Sequence, residues 1–278
     1  SQRICRIRVS ATMQAAAEAA RLRAQGVDVV DFGPGEPDYP TPAGIKAAAV
    51  RAIEQDFTRY TAAGGTEELR EAICRRHAAD FGTGYTAPEC AVSSGGKHAL
   101  FNVLQALVDP GEEVVVPVPY WTTFTDIVAY CGGVCTLAHT EERDHFAITA
   151  GVLESHISPK TRAVILNSPC NPSGDVISPE EWGRIHRLTS ERGVWLITDE
   201  CYQHLVYDGV PFSAASLPGA RENVVVAGSL SKSYAMTGWR IGFVLGPPAV
   251  VSAVAKLESQ STSNPNSIAQ KAAVEAML

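Results

Sequence analysis

Lys232 lies in a segment whose side chains could do chemistry together. The segment Ser229-Leu-Ser-Lys-Ser-Tyr-Ala-Met-Thr-Gly-Trp-Arg-Ile-Gly242 surrounds that lysine with hydroxyls and places Arg240 eight residues later. Arginine binds phosphate bidentately and hydroxyls donate to it, so Ser229, Ser231 and Arg240 suit a phosphate group. An amine becomes nucleophilic when burial or a neighbouring cation lowers its pKa. The segment therefore predicts an amine nucleophile beside a phosphate, although an isolated lysine is usually just solvated.

Other residues that could take part in binding or catalysis also follow predicted strands. They are Gly96, Trp121, Asn171, Asp199 and Tyr202. Taken singly, an aspartate could cap a helix, an asparagine could form a turn, and an aromatic ring could fill the core. A buried aspartate could instead hold a heterocyclic nitrogen in its protonated form, and a flat indole could support an aromatic ring. The pattern becomes informative because all of these residues occur together.

The elements that must position these residues alternate between helix and strand. Solid apolar runs predict strands at 27–32, 89–93, 114–117, 134–137, 162–167, 194–198, 223–228 and 241–245. Helix-forming segments lie at 11–25, 43–55, 66–81, from 98 to about 107, after Trp121, at 179–192 and at 267–278. Such strands, separated by helices, indicate a mostly parallel sheet that is buried on both faces. Ligands bind at the carboxyl edge of such sheets, so loops distant in sequence should converge there.

Two glycine-rich segments could bring backbone close to a ligand. Ser94-Gly-Gly-Lys-His98 opens a predicted helix, and free N–H groups with the positive end of a helix dipole suit a phosphate. It is not a Walker loop, because His98 stands where a serine or threonine is needed. The turn-rich segment 33–42 lacks the third glycine of a dinucleotide fingerprint.

Composition excludes several classes of function. The chain has 278 residues, of which 45% are apolar, and a net charge of −7 with no basic run. Nucleic acid and anionic membranes are therefore disfavoured as partners, and no apolar run approaches the roughly 18 residues of a membrane helix. The seven cysteines are scattered, without the spacing of a zinc site. An odd number of scattered cysteines favours a reducing, cytoplasmic location, and no metal site is expected.

These motifs together resemble a known enzyme family. With Asn167-Ser-Pro-Cys-Asn-Pro-Ser-Gly174, Pro119-Tyr-Trp121 and Gly35-Glu-Pro-Asp38, the chain resembles the fold-type I pyridoxal-phosphate enzymes of the class I/II aminotransferase group. The resemblance is strongest to the bacterial aspartate/prephenate aminotransferase branch. It implies an α/β fold with a mostly parallel sheet sandwiched by helices, which is the large domain of this fold type, and an incomplete small domain. Residues 1–36 would contribute to the small domain, and residues 37–278 would form the large cofactor-binding domain.

The resemblance also implies a role for each matching residue. Lys232 would bond covalently to pyridoxal 5'-phosphate and then move the substrate proton. Asp199 would pair with the pyridine nitrogen, with Tyr202 as a further catalytic residue. Other cofactor contacts implied by the family are Gly96, Lys97, Trp121, Asn171, Tyr202, Ser229, Ser231 and Arg240. Tyr60 would reach the cofactor phosphate of a second subunit, which implies a homodimer with shared sites. Gly35, Lys97, Trp121 and Asn171 would face the substrate.

The implied reaction moves an amino group between an amino acid and a 2-oxo acid by a ping-pong mechanism. Lys97 and Ser10-Ala-Thr12 match positions that recognise a side-chain carboxylate in this branch, which favours aspartate or glutamate as donor. Lys97 could equally be a solvated loop residue. A lyase or synthase on the same scaffold remains open, because a fold does not fix a function. A cofactor-sensing regulator would need a basic DNA-binding module, and the sequence shows none.

Family members are typically longer, and the arginine that clamps the substrate α-carboxylate lies in their C-terminal small domain. The sequence, which ends in a helix-like stretch at Leu278, contains no matching arginine. We therefore expect either a fragment or a natural truncation that lacks the C-terminal small domain. Such a chain would bind the cofactor but could have little activity of its own.

Overall fold

The computed structural model describes residues 1–33 and 35–278. Within these residues, nine α-helices form: α1 Ala11–Ala24, α2 Ala43–Glu54, α3 Glu67–Phe81, α4 Gly96–Leu107, α5 Thr123–Cys131, α6 Ala150–Glu154, α7 Pro179–Glu191, α8 Pro248–Ser261 and α9 Ser267–Met277. Seven strands form within the same residues: β1 Cys90–Ser93, β2 Glu113–Val118, β3 Val134–His139, β4 Thr161–Asn167, β5 Trp195–Asp199, β6 Val224–Ser229 and β7 Gly242–Leu245.

The seven strands form one mixed sheet in the order β1-β7-β6-β5-β4-β2-β3. Neighbouring strands are parallel except at β7, which runs antiparallel to both β1 and β6. The other six strands therefore point the same way and end at one edge. The sequence-based prediction of a mostly parallel α/β sheet flanked by helices is confirmed.

Apolar side chains bury the sheet on both faces, which explains why its strands read as solid hydrophobic runs. One cluster joins strand residues such as Val164 and Leu196 to α3, α7 and α9. The other joins Val114 and Ile165 to α4, α5 and α8. Burying a side chain of this size stabilises the fold by about 1.5–3 kcal/mol, so the two layers hold the strand ends firmly in place.

Local capping signals set the ends of several helices. The Thr66 hydroxyl accepts a hydrogen bond from the Leu69 N–H at 3.3 Å at the start of α3, and Gly82 ends that helix in the left-handed conformation. The Ser178 hydroxyl accepts from the Glu181 N–H at 3.2 Å at the start of α7, where Pro179 takes the first helical position. Helix boundaries predicted from the sequence consequently lie close to those observed.

The predicted strand at 27–32 is wrong. This segment forms neither a helix nor a strand of the described sheet, and Val30 and Phe32 are 77% and 94% exposed. A short apolar run can form a strand only where a partner strand lies beside it. The sequence also failed to predict α6 and α8, which both form.

The N-terminal segment is sparsely buried but is attached to the rest of the chain after α1. Helix α1 buries only Ala19. The following segment packs on the loop after β6, where Thr41 donates to the Ala235 carbonyl and accepts from the Trp239 indole N–H at 3.0 Å. Across residues 1–33 and 35–278, the helices are all too short or too polar to cross a lipid bilayer.

Candidate active site

Polar residues converge where parallel strands end. Asn167, the last residue of β4, lies opposite Asp199, the last residue of β5. Asp199 in turn lies opposite Ala227 of β6, and β6 ends two residues later at Ser229. Gly242 of the antiparallel β7 pairs with both Ser229 and Ser93, the end of β1. The sheet therefore brings the ends of four strands to one edge.

Lys232 stands on the loop that leaves β6. Leu230 and Met236, on either side of it, are fully buried and anchor the loop. The half-buried Lys232 amine donates a hydrogen bond to the carbonyl oxygen of Gly35. Gly35, which was predicted to line the substrate site, therefore lies directly against the candidate nucleophile.

Asp199 is a buried carboxylate with few hydrogen-bond donors to offset its burial. It is 7% exposed, and burial raises its pKa to about 7. Among the described residues, the hydrogen bond to its side chain comes from the Cys201 backbone N–H at 3.1 Å. The Asn167 amide fixes the backbone by donating to the Asp199 carbonyl at 2.8 Å. A buried carboxylate with one neutral donor is poised to receive a cation or a protonated nitrogen.

Cys201 lies two residues after Asp199, and both Asp199 and Lys232 act on the pKa of its thiol. Burial raises the pKa of Cys201 to about 12; the Asp199 charge raises it further, whereas the Lys232 charge and a hydrogen bond with Ser229 lower it. Asp199 ends β5, and Lys232 follows the end of the neighbouring β6 by three residues, so both lie at the same edge of the sheet. The sequence singled out both charged residues but missed Cys201, because nothing in its neighbourhood distinguishes it from a core cysteine.

Asn171 and Tyr202 come together beside Asp199. The Asn171 backbone N–H donates to the Asn167 side-chain oxygen at 2.7 Å, which holds the loop after β4 against the strand end. Burial raises the pKa of Tyr202 to about 12, the charge of Asp199 adds to this, and a hydrogen bond with Asn171 opposes it. The phenol is therefore protonated at neutral pH and can donate a hydrogen bond.

The start of α4 forms a narrow cradle for an anion. Gly95 has φ +94°, and its Cα faces the guanidinium of Arg240 so closely that a Cβ would collide with it. A Cβ on Gly96 would lie 2.9 Å from that of Ser229, and one on Gly242 would overlap the Gly95-Gly96 backbone. The Ser231 N–H donates to the Ser229 hydroxyl at 3.1 Å. The cradle thus combines helix N–H groups, hydroxyls and a guanidinium, all of which bind phosphate.

Lys97 and Trp121 face each other beside this cradle. The Lys97 amine lies 4.8 Å from the centre of the Trp121 ring. Burial lowers the pKa of Lys97, and the nearby charge of Arg240 lowers it further. Lys97 and Arg240 also line a cavity of about 340 Å³ together with Ile7, which belongs to the N-terminal segment. Asp126 lines the same cavity, so its two cations face one carboxylate and leave a net positive charge that favours an anionic occupant.

The remaining predicted residues lie at or beyond the rim of this site. The Arg8 N–H donates to Asp126 of α5 at 3.3 Å, which holds the segment before Ser10-Ala-Thr12 against the wall of that cavity. Tyr60 is 89% exposed on the loop between α2 and α3, and its side chain makes no hydrogen bond with another described residue. Among the described residues, Tyr60 is therefore a predicted cofactor residue that no observed contact links to the cluster.

Comparisons with known proteins agree on one family. Residues 27–278 match the family described as aminotransferase class I and II. An aspartate/prephenate aminotransferase from Nitrosomonas europaea is 43% identical over all of this chain and 70% of the relative. The aspartate/prephenate aminotransferase of Thermus thermophilus is 41% identical over the whole chain and 71% of the relative.

Solved structures give the same result. The aspartate aminotransferase from Thermus thermophilus with maleate superimposes with a TM-score of 0.97 at 41% identity, over all of this chain and 72% of that structure. The enzyme from Rhizobium meliloti gives a TM-score of 0.94 at 42% identity, over all of this chain and 70% of that structure. The chain therefore belongs to the class I and II aminotransferases, in the branch of the aspartate/prephenate aminotransferases.

Proposed function

We propose that this aminotransferase binds pyridoxal 5'-phosphate at the sheet edge, with Lys232 as the residue that bonds to it. The observation that carries the proposal is the placement of Asp199 at the end of β5 and of Lys232 on the loop that leaves the neighbouring β6, next to the cradle at Gly95-Gly96. An amine, a carboxylate and an anion cradle in one place match the three functional groups of this cofactor: an aldehyde, a ring nitrogen and a phosphate.

The residues present fit the cofactor on two independent grounds. Asp199 is buried with a raised pKa, and a protonated ring nitrogen would supply the missing positive partner. The backbone approach of Gly242 to Gly95-Gly96 leaves no room for side chains there, so the N–H groups at the start of α4 stay accessible beside Arg240. The cofactor phosphate would be held by that cradle, Ser229, Ser231 and Arg240.

Each residue of the chain then has a defined task. When bound, the cofactor ring supplies a sink for the electrons left on the substrate Cα. The Lys232 amine takes the proton from that carbon and can return it, acting as general base and acid. Asp199 keeps the ring nitrogen protonated, and the Tyr202 hydroxyl and Asn171 amide orient the ring by hydrogen bonds. Trp121 offers its indole face as a support for the ring.

We propose a dicarboxylic amino acid, aspartate or glutamate, as the amino donor. Lys97 and Arg240 place two positive charges on the cavity beside the cradle, and the segment that leads to Ser10-Ala-Thr12 lies against the same cavity. A relative with 41% identity was solved with maleate, which is a dicarboxylate. A 2-oxo acid would be the acceptor that completes the ping-pong cycle.

We further propose a homodimer in which Tyr60 completes the partner's site. Tyr60 is exposed and apart from the cluster of its own chain, as a residue that reaches another subunit should be. Residues 1–36 would belong to a small domain and 37–278 to the cofactor domain, which agrees with the sparse burial of α1. The scattered free cysteines suit a reducing cytoplasm.

Absorbance spectroscopy of the chain with pyridoxal phosphate tests the proposal. We expect the cofactor's visible band to appear on binding, to convert when aspartate is added alone, and to return when 2-oxoglutarate follows. Conversion without release of ammonia distinguishes amino transfer from a lyase reaction. Failure of aspartate and of glutamate to convert the bound cofactor would contradict the proposed donor class, and failure to bind cofactor would contradict the site.

A further inference from the structure

Glu258 is a fully buried glutamate on α8 that no part of the proposed reaction uses. Its side chain is 0% exposed although it lies on the same face as Val250, Val251 and Val254. Glutamate in such a position is unfavourable unless its oxygens are paired. The Glu258 Oε1 atom accepts from the Ser93 hydroxyl, whereas Oε2 has no partner among the described residues.

A chain of hydrogen bonds connects this carboxyl to the start of the anion cradle. The Asn102 amide nitrogen lies 3.3 Å from Glu258 Oε1 and 3.3 Å from His98 Nε2. The other ring nitrogen of His98, Nδ1, accepts from the Ser94 backbone N–H at 3.3 Å. Ser93 ends β1 and Ser94 directly precedes Gly95-Gly96. Glu258 therefore reaches the cradle along two routes, through Ser93 and through Asn102 and His98.

The directions of these bonds depend on one proton. Because the Ser94 N–H donates to Nδ1, a neutral His98 ring carries its proton on Nε2 and needs an acceptor there. With the Asn102 nitrogen in that place both ring nitrogens would face donors, so we infer that the amide is turned and its oxygen faces the ring. The same oxygen then faces Glu258, so the carboxyl must be protonated to complete the chain. Burial does lower the pKa of His98, which keeps the ring neutral.

Loss of the Glu258 proton would reverse the chain. The Asn102 amide must then turn its nitrogen towards the carboxylate, so His98 Nε2 faces a donor and the ring proton moves to Nδ1. On Nδ1 the ring proton points at the Ser94 N–H, so two donors face each other. The proton can instead interact with Glu258 Oε1, which lies 3.8 Å from Nδ1. The hydrogen bond that holds Ser94 is lost, and a negative charge appears behind a site for an anion.

We propose that Glu258 and His98 are positioning residues, which hold the start of α4 in the geometry that binds the cofactor phosphate while Glu258 carries a proton. This inference rests on the proposed function, because it takes the cradle to be the phosphate site. Burial raises the pKa of Glu258 to about 7, whereas the hydrogen bond from the Ser93 hydroxyl lowers it. Phosphate binding should therefore weaken as the pH rises past about 7.

The other titratable groups around Glu258 do not account for that change. On β1, burial raises the pKa of Cys90 well above its usual value, so this thiol stays neutral. Glu89, in the turn that packs on α8, is paired with Arg221. Lys256, on α8 itself, is exposed. His98 on α4 belongs to the network described above.

The test compares pyridoxal phosphate with pyridoxal, which lacks the phosphate, in titrations of the cofactor-free chain at about pH 6 and about pH 8. The ratio of the two dissociation constants measures phosphate binding alone. Glu258→Met removes every hydrogen bond of the carboxyl, so we expect the preference for the phosphorylated ligand to fall about tenfold at both pH values. Glu258→Gln resembles the protonated carboxyl, so it should keep the preference at both.

At the lower pH, the wild-type chain should prefer pyridoxal phosphate over pyridoxal as strongly as Glu258→Gln does. At the higher pH, the wild-type preference should be weaker than that of Glu258→Gln. The ionisation of the ligand phosphate affects the wild-type chain and Glu258→Gln equally. The difference between their pH profiles therefore reports the ionisation of Glu258. Val254→Ala, on the same buried face of α8, controls for general loosening of the helix. Stabilisation of the cofactor-free chain by inorganic phosphate, measured as a rise in melting temperature, should follow the same order among the variants.

Equal weakening of both ligands in Glu258→Met, or the same loss in Val254→Ala, would overturn the inference. An identical pH profile for wild type and Glu258→Gln would also overturn it. Either result leaves the proposed function intact if the wild-type chain binds pyridoxal phosphate. A wild-type chain that binds neither ligand nor inorganic phosphate would overturn both.

Discussion

The Lys232 amine donates a hydrogen bond to the Gly35 carbonyl, although the two residues lie 197 positions apart in the sequence. The contact exists because hydrogen bonds attach the segment after Gly35 to the loop that follows β6 and carries Lys232. Thr41 donates to the Ala235 carbonyl, and the Thr237 hydroxyl donates to Glu36 at 2.6 Å. The candidate nucleophile is therefore positioned by two parts of the chain: β6, which leads into its loop, and the N-terminal segment, which contacts its amine.

Thr41→Val should loosen this attachment with almost no change in side-chain volume. The variant leaves the Trp239 indole N–H without its acceptor and the Ala235 carbonyl without its donor. We expect the free energy of unfolding to fall by about 1–3 kcal/mol, measured by urea denaturation. Thr58→Val is the matched control, because Thr58 is exposed and its hydroxyl makes a single long contact at 3.4 Å. Equal stability of both variants would show that the fastening contributes nothing.

Asp199→Asn should separate stability from turnover. Between its usual pKa of 3.8 and its raised value of about 7, the folded protein holds a proton on Asp199 that the unfolded chain has released. The wild-type, cofactor-free chain therefore loses about 1.4 kcal/mol per pH unit across this window, and the loss levels off above pH 7. The asparagine does not titrate, so the variant should become the more stable form as pH rises through the window.

Turnover of the same variant should fall by about 100-fold or more, because asparagine cannot hold a ring nitrogen protonated. Melting temperatures of the cofactor-free proteins and rates of aspartate-dependent turnover provide the two readouts. A variant that matches the wild type in turnover would refute the role of Asp199. Parallel stability curves across pH 4–7 would refute its raised pKa.

Gly242→Ala should disrupt the cradle, because a Cβ at this position would overlap the backbone of Gly95 and Gly96. The opposing group is backbone and cannot rotate away, so we expect destabilisation by at least about 1–3 kcal/mol together with weaker cofactor binding. Gly183→Ala is the matched control. It lies within α7 with open space around it, and the change should stabilise the helix by up to about 1 kcal/mol. Calorimetric melting of the two variants should thus shift in opposite directions.

Lys97→Met should reduce the preference for dicarboxylic donors. Methionine keeps the apolar contact with Trp121 but removes the charge that lies 4.8 Å from the ring centre. We expect kcat/KM for aspartate to fall by about 10–100-fold, whereas a monocarboxylic donor such as alanine should change little. Lys256→Met, an exposed lysine on α8, should leave both unchanged. Equal losses for aspartate and alanine would assign Lys97 to the cofactor phosphate instead of the substrate.

The strand-end residues show what could be predicted from the sequence. Asn171, Asp199 and Lys232 follow solid apolar runs, and parallel strands must end at one edge, so their convergence follows from the pattern. The segment 27–32 also carries three valines and a phenylalanine, but it lacks a partner strand, and partners are a property of the whole fold. Hydrophobicity alone therefore predicted a strand that does not form.

Glu258 shows what the sequence could not reveal. A glutamate among helix formers is expected on the solvated face, and its burial follows only from the way α8 packs on α4 and β1. The hydrogen bonds to Ser93 and Asn102 link residues more than 150 positions apart. A network of this kind has no local signal, so it appears only when the helices are placed in three dimensions.

Reductive trapping tests the central assignment most directly. The chain is incubated with pyridoxal phosphate, reduced with borohydride to make the bond permanent, digested and mapped by mass spectrometry. We predict that one cofactor is attached per chain, at Lys232, and that Lys232→Ala removes both this attachment and the visible absorbance while the protein stays folded. Attachment at Lys97 or at another lysine, or full absorbance in Lys232→Ala, would contradict the account.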